Sequence, residues 1–305
     1  GLVVIPFGLP TPFIYTHNIQ GINVIKITVY DARGASTEQD ITVKLDTIVP
    51  VTNDDIVTND WVNHDVDVTL ISGDHIPGSG VAKIHYTVDG SPPTTSSPFF
   101  VGSSGIIHLT DSADHPIKYF GHDFAGNNET PVTATNHVRI DKVPPHTALV
   151  VNAPDGDNGW YKTNPIISLA PTDILSGVDK TYFKWDDNDY IQYASPFQID
   201  TSEFHGIHNL TYYSVDNVGN VETPHIAEFK FDDVPPVTSD SVSSDWTNNR
   251  NVFITVTDES SGNGKIYYTL DDSEPTANSM EYQHRIVIDK SMNLRIIFIS
   301  DIGVK

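Results

Sequence analysis

Ile140-Asp141-Lys142-Val143-Pro144-Pro145-His146-Thr147 is one of three versions of the same phrase. The other two are Leu45-Asp46-Thr47-Ile48-Val49-Pro50-Val51-Thr52 and Phe231-Asp232-Asp233-Val234-Pro235-Pro236-Val237-Thr238. Each closes an alternating apolar run, places an Asp, reaches a Pro four residues later and ends on Thr. The Asp residues lie 95 and 91 residues apart (141−46 and 232−141), so the phrase marks the joint between repeated modules. Proline fixes φ, lacks an N–H and pushes the preceding residue towards extended backbone, which makes each joint short and semi-rigid.

Working outward from the joints, 305 residues divide into two full repeats flanked by two partial ones, with boundaries at 1–47, 48–142, 143–233 and 234–305. The first full repeat shows Val66-Asp67-Val68-Thr69-Leu70, Lys83 to Val88 and Ile117 to Phe120 as strand candidates. The second gives Ile166 to Leu169, Lys180 to Trp185 and Asn209 to Val215. The third gives Val252 to Val256, Lys265 to Leu270 and Asn293 to Ile299. Turn residues punctuate every eight to fifteen positions and no 3.6-residue period persists, so helix is not expected. Seven or so short strands per repeat predict an all-β chain of tandem immunoglobulin-like antiparallel β-sandwiches in an elongated array. Residues 1–47 read as the end of a preceding module, with a hairpin turning at Asp31-Ala32-Arg33-Gly34. The last repeat lacks a counterpart of the closing strands Val138-Arg139-Ile140 and Phe229-Lys230-Phe231.

Forty acidic against seventeen basic residues give a net charge of −23. That balance argues against nucleic acid and anionic membrane as partners and favours divalent cations or basic surfaces. With no Cys, there are no disulfides, thiolate metal sites or cysteine nucleophiles. No apolar run is long enough to span a membrane, and Gly1 to Phe13 lacks the basic start of a signal peptide.

Two segments carry a family likeness. Lys265-Ile266-Tyr267-Tyr268-Thr269-Leu270-Asp271-Asp272-Ser273-Glu274-Pro275-Thr276 and Tyr86-Thr87-Val88-Asp89-Gly90-Ser91-Pro92-Pro93-Thr94 resemble the Ig-like domain of the chitobiase C-terminal type. Tyr213-Ser214-Val215-Asp216-Asn217-Val218-Gly219-Asn220-Val221-Glu222 resembles the ending of bacterial and archaeal surface Ig-like repeats, including those of S-layer proteins. Asp301-Ile302-Gly303 departs from that ending by a residue and lacks its Asn, while residues 1–47 look more like a cadherin- or PKD-like module. The resemblance implies spacers on secreted enzymes, adhesins or S-layers, and hence a context rather than an activity.

Aligning the repeats exposes three recurrent carboxylates: Asp46, Asp141 and Asp232 in the joints; Asp74, Asp173 and Asp258 after the second core strand, each shortly before Gly80, Gly177 or Gly262; and Asp123, Asp216 and Asp301 in the penultimate turn. In an immunoglobulin-like topology those three places share one pole, so each triplet is expected to gather at a joint. Clustered carboxylates repel unless a cation or several N–H groups answer them, and hard oxygen ligands suit Ca²⁺. The alternative is that each Asp caps its own turn. Asn128 and Asn209 satisfy the N-glycosylation pattern. Trp61, Trp160 and Trp246 recur before the second core strand, either as a sugar-stacking row or as plugs at the sandwich end, whereas Trp185 has no counterpart. The thirteen His, among them His64, His75, His85, His108, His115, His205 and His208, form no metal or catalytic motif and are expected at the surface or filling strands.

No nucleophile elbow, phosphate loop or nucleotide fingerprint occurs, and no enzyme activity is expected. The sequence therefore points to a structural segment of an extracellular cell-surface protein, an S-layer or envelope assembly whose partners are neighbouring copies or other surface proteins. A glycan-binding accessory module of a polysaccharide-degrading enzyme is the alternative. A third is a filament subunit whose residues Leu2 to Tyr15 complete another chain's last module.

Overall fold

The computed structural model describes residues 16, 18–199, 204–232, 234–241, 251–258, 264–288 and 293–300. Asp301, Trp246, Gly262 and the segment Leu2 to Tyr15 named above lie outside them. Among the described residues the regular structure is β-strand, apart from a 3₁₀ turn at Asp157–Gly159. The chain falls into two compact units, Gly1–Lys142 and Val143–Lys305.

The first unit opens on a hairpin of β1 (Gly21–Tyr30) and β2 (Ser36–Leu45), paired antiparallel from Gly21↔Leu45 to Tyr30↔Ser36. The turn forms as the residues Asp31 to Gly34 predict: Asp31 Oδ1 accepts from the N–H groups of Arg33 and Ala35, and Gly34 sits at φ 84°. A module of ten strands follows: β3 (Val51–Asp54), β4 (Trp61–Val62), β5 (Val66–Gly73), β6 (Val81–Thr87), β7 (Phe99–Val101), β8 (Ser104–Leu109), β9 (Ala113–His115), β10 (Lys118–Asp123), β11 (Val132–Thr133) and β12 (Val138–Ile140). Their sheets run β3-β5-β8, β11-β10-β6-β7 and β4-β12-β9. Period-2 alternation puts Val68 and Leu70 of β5 inside and leaves Asp67 outside. With Ile84, Ile107, Leu109, Ile117, Tyr119 and Ile140 they form one apolar core. Tyr119 also donates its hydroxyl to Asp54 Oδ2 (2.6 Å); burial and that hydrogen bond push the phenol up, so it stays protonated.

The second unit holds two sandwich-like groups. The first is β13 (His146–Val151), β14 (Trp160–Tyr161), β15 (Ile166–Thr172), β16 (Val178–Trp185), β17 (Ile191–Gln192), β18 (Phe197–Gln198), β19 (Gly206–Asp216) and β20 (His225–Phe231), in sheets β13-β15-β18 and β14-β20-β19-β16-β17. Ile167, Leu169, Leu210, Tyr212, Phe229 and Phe231 fill the space between them. The second group is β21 (Val237–Asp240), β22 (Asn251–Val252), β23 (Ile254–Thr257), β24 (Gly264–Thr269), β25 (Met280–Glu281), β26 (Ile286–Val287) and β27 (Arg295–Ser300), around a smaller cluster of Val252, Ile254 and Ile286. Among the described residues β27 pairs with β24 alone, whereas its sibling β19 is flanked by both β16 and β20.

The two full repeats share a plan but differ where the sequence requires it. β19 is continuous, while its counterpart is split into β9 and β10 around Pro116. Pro116 stands where Asn209 stands in the sibling, and the Asn209 N–H donates to Asp186 Oδ1 (2.9 Å), a bond that proline, without an N–H, cannot make. The span from Asp123 to Asp141 is also two residues longer than that from Asp216 to Asp232, and the closing strand is correspondingly divided into β11 and β12.

Candidate functional site

The joint carboxylates are built by three local motifs. Asp123 ends β10 fully buried; its Oδ1 accepts from the N–H groups of Ala125 (3.0 Å) and Asn127 (2.8 Å), and its Oδ2 accepts from Asn127 Nδ2 (2.7 Å). Asp216 repeats this at the end of β19, accepting from Val218, Asn220 and the Asn220 amide at 3.0, 2.8 and 2.6 Å. Gly126 and Gly219 take the positive φ those turns need, 96° and 88°. In the loops after the second core strand, Asp74 Oδ2 accepts from Gly80 N–H (2.5 Å) and Asp173 Oδ1 from Gly177 N–H (2.7 Å). Gly80 and Gly177, at φ 84° and 82°, turn their amides back onto the carboxylates.

Within the first unit the three motifs meet. One carboxylate oxygen each of Asp46, Asp74 and Asp123 lies within 4.8 Å of the other two. Asp46 Oδ2 accepts from Ser79 N–H (2.6 Å), its Oδ1 from Ile48 N–H (3.1 Å), and its carbonyl from Asn127 Nδ2 (3.2 Å), which ties the end of the hairpin to the module. The Ser79 hydroxyl and then the amides of Ser79 and Ile48, against a small cost of burial, hold Asp46 below the usual carboxylate value, so it is ionised at neutral pH. These hydrogen bonds leave lone pairs on each of the three carboxylates. A hard cation with oxygen ligands fits such a set, with the turn-capping bonds kept.

The other predicted carboxylates are placed as follows. Asp141, in the first unit, is buried after β12 and donates its N–H to the Val62 carbonyl (2.8 Å). Asp173 and Asp216 belong to the second unit. Asp232, also fully buried, repeats the Asp141 contact by donating to the Tyr161 carbonyl (3.0 Å), and its Oδ1 caps Val234 N–H. Asp258 follows β23 and is half-buried. The glycosylation candidates Asn128 and Asn209 are both exposed, the first bonded through Oδ1 to His122.

One expectation needs correction. Trp61 and Trp160 begin the short strands β4 and β14, which pair parallel with β12 and β20. It is the next residue on each, Val62 or Tyr161, that packs with the core cluster; Tyr161 is buried, while Val62 is half-buried like the two tryptophans. Strand alternation sends neighbours to opposite faces, so the plug role passes to Val62 and Tyr161. Trp185, without a sibling, does pack inside, edge-on to Phe204, Phe229 and Phe231. The histidines divide, as expected, between the surface and the strands. His64, His75 and His108 are exposed; His85 and His115 are buried, His85 stacked on Phe120; His208 bridges the Asp186 carboxylate and the His205 carbonyl. His146 and His225 instead meet around Glu222.

Glu222 and its sibling Glu129 are the residues sequence reasoning passed over, although each follows its turn Asp by the same step in Gly126-Asn127-Asn128-Glu129-Thr130-Pro131 and Gly219-Asn220-Val221-Glu222-Thr223-Pro224. Glu129 accepts from the N–H groups of Thr52 (3.0 Å) and Gly121 (2.9 Å). Glu222 accepts from Thr147 N–H (2.7 Å), Thr147 Oγ1 (2.6 Å) and Ser214 N–H (3.0 Å). Glu129 thereby ties β3 to β10, and Glu222 ties β13 to β19. Burial by itself would raise Glu222, but the bonds from Thr147, His225 and Ser214 outweigh it and hold the carboxyl below its ordinary value.

These features define a class: immunoglobulin-like β-sandwich modules in tandem, with carboxylate caps at their turns and glutamate ties between their strands. Residues 62–133 match the chitobiase/beta-hexosaminidase C-terminal domain, and residues 254–303 match the Fn3 associated domain; the two matches support Ig-like repeats of the chitobiase C-terminal type. A solved structure of the fibronectin(III)-like modules of Clostridium thermocellum CbhA is similar over 59% of this chain and 95% of its own, at 12% identity and a TM-score of 0.25. No curated protein matches the chain. No helix among the described residues is long and apolar enough to cross a membrane.

Proposed function

We propose that this chain is a non-catalytic structural segment of an extracellular cell-surface protein, an S-layer or related envelope assembly, in which Ig-like modules set distance and Ca²⁺ stiffens their joints. The observation that carries this reading is the convergence of Asp46, Asp74 and Asp123 where the hairpin enters the first module. Carboxylate charges at that separation repel, and a bound divalent cation converts the repulsion into a tie. The acidity of the chain, −23 overall, and the matches to non-catalytic modules point the same way. Its partners in this reading are neighbouring copies or other surface proteins.

Chelating Ca²⁺ from the purified chain should lower the melting temperature and broaden the pair-distance distribution in small-angle scattering. If neither changes, calcium has no part in the joints. Recovery of the native protein only as a non-assembling monomer would count against the envelope role.

A second reading, an accessory module of a secreted polysaccharide-degrading enzyme, is favoured by the match of residues 62–133 to a domain named for two enzymes. Trp61 and Trp160 would then contact glycan. A glycan array with binding abolished in Trp61→Ala and Trp160→Ala supports it, and an array without hits removes it.

A further inference from the structure

His146, Glu222 and His225, all in the second unit, each offer a ligand atom within 4.8 Å of the other two. His225 Nε2 lies 2.8 Å and His146 Nδ1 3.6 Å from the same oxygen, Glu222 Oε1. The two imidazoles meet edge to face with centroids 5.7 Å apart, and His225 stacks on Tyr212. We propose that these three side chains form a binding site for a divalent first-row transition metal, with Zn²⁺ as the representative ion.

The comparison between repeats separates the structural part of this arrangement from the rest. The glutamate is common to both modules, half-buried as Glu129 and buried as Glu222; the two make the same backbone tie, so the carboxylate alone says nothing about metal. The residues beside it differ. His146 occupies the position of Val51, immediately before the tying threonine, and of Val237 in the third repeat; His225 occupies the position of Val132, after the Glu-Thr-Pro step. Valine serves both places when only the fold is required. In the second repeat both have become histidine, on two different strands, β13 and β20, and the fold aims both rings at one carboxylate oxygen.

The chemistry suits a borderline ion. Two neutral imidazoles and a carboxylate are ligands for Zn²⁺ and its neighbours, whereas calcium takes oxygen. In tetrahedral coordination with bonds of about 2.0–2.1 Å, ligand atoms stand roughly 3.3 Å apart, and the two measured separations bracket that value. Binding requires that the His225 to Glu222 hydrogen bond open to admit the ion. Glu222 is already fixed by Thr147 and Ser214, which supplies the outer hydrogen bonds that orient a metal-bound carboxylate. The His146 side chain is 74% exposed and that of His225 39%, so the ion has a path from solvent and at least one coordination position is left for water.

The test is calorimetric titration of the whole chain with ZnCl₂, in excess Ca²⁺ so that surface carboxylates do not compete. One equivalent of Zn²⁺ should bind with an affinity that falls by more than the roughly 10- to 100-fold typical of losing an outer-shell partner in either His146→Val or His225→Val, and is lost in the double variant. Valine is what the sibling repeat carries at both places, which favours retention of the fold. Equal stoichiometry and affinity in the parent and the double variant would overturn the proposal. Imidazole resonances of the unaltered protein give a second measurement: at one equivalent of Zn²⁺ those of His146 and His225 should shift first, and a first response elsewhere would overturn it equally. The Ca²⁺-chelation experiment above bears on other residues, so the two outcomes are separable.

Discussion

Glu222 shows how one side chain serves a whole module. It is 5% exposed, and the hydrogen bonds it accepts connect β13 to β19. Glu222→Gln keeps the size but presents an amide where a carboxylate accepted several bonds, and should cost about 2 kcal/mol at pH 7, read as a shift in urea midpoint. The pH dependence follows from the sign of the shift. The folded-state value lies below the ordinary 4.5, so the stabilisation is complete above about 4.5 and disappears as pH falls through the lower folded-state value. The difference in stability between parent and Gln variant should therefore shrink as the pH is taken from 7 to 3; a constant difference would mean that the charge contributes nothing.

A hydroxyl hub beside each glutamate shows the same economy at the scale of elements. In the first repeat Thr52 Oγ1 on β3 bonds Ser72 Oγ on β5 (3.0 Å), and Gly121 on β10 leaves room for the pair. In the second, the strand position facing Thr147 is Pro171, which has no hydroxyl. Ser214, at the place of Gly121, supplies one and bonds both Thr147 and Thr181 (2.6 and 2.7 Å). All five hydroxyl residues are buried, so an unpartnered one would be costly. A Cβ on Gly121 would stand 2.7 Å from Ser72 Oγ, 2.8 Å from Thr52 Oγ1 and 2.9 Å from Pro50 Cγ. Gly121→Ala should thus destabilise the first module by roughly 1–3 kcal/mol through overpacking, seen as a lower denaturant midpoint. Ser72→Ala in the same chain should recover part of that loss by vacating the nearest contact.

On the scale of the whole molecule, stability is divided among separate cores. Leu210, Phe231 and Ile167 serve one cluster in the second unit, while Leu70, Ile84 and Ile140 serve that of the first. Leu210 is fully buried, and Leu210→Ala should cost about 3 kcal/mol. In scanning calorimetry the transition of the second unit should fall by roughly 10 °C while that of Gly1–Lys142 stays in place. A uniform shift of the entire endotherm would show that the units unfold as one cooperative body.

The sequence by itself determined the strand content, the hairpin at Asp31 to Gly34, the alternation that buries Val68 and Leu70, and the recurrence of Asp in joint, loop and turn. These are local properties: period-2 hydrophobicity and turn chemistry act over a few residues and are visible along a chain. The tertiary structure decided the rest. That Val62 and Tyr161 fill the cores rather than the adjacent tryptophans depends on which face of a two-residue strand points inward, and two residues are too few to display a period. Ser214 standing in for a hydroxyl that Pro171 lacks joins positions 43 residues apart (214−171). His146 and His225 meet at Glu222 only because β13 and the turn after β19 are brought together by the sandwich. Scattered along the chain the thirteen histidines carry no motif, since a ligand set drawn from two sheets has no spacing in sequence to betray it.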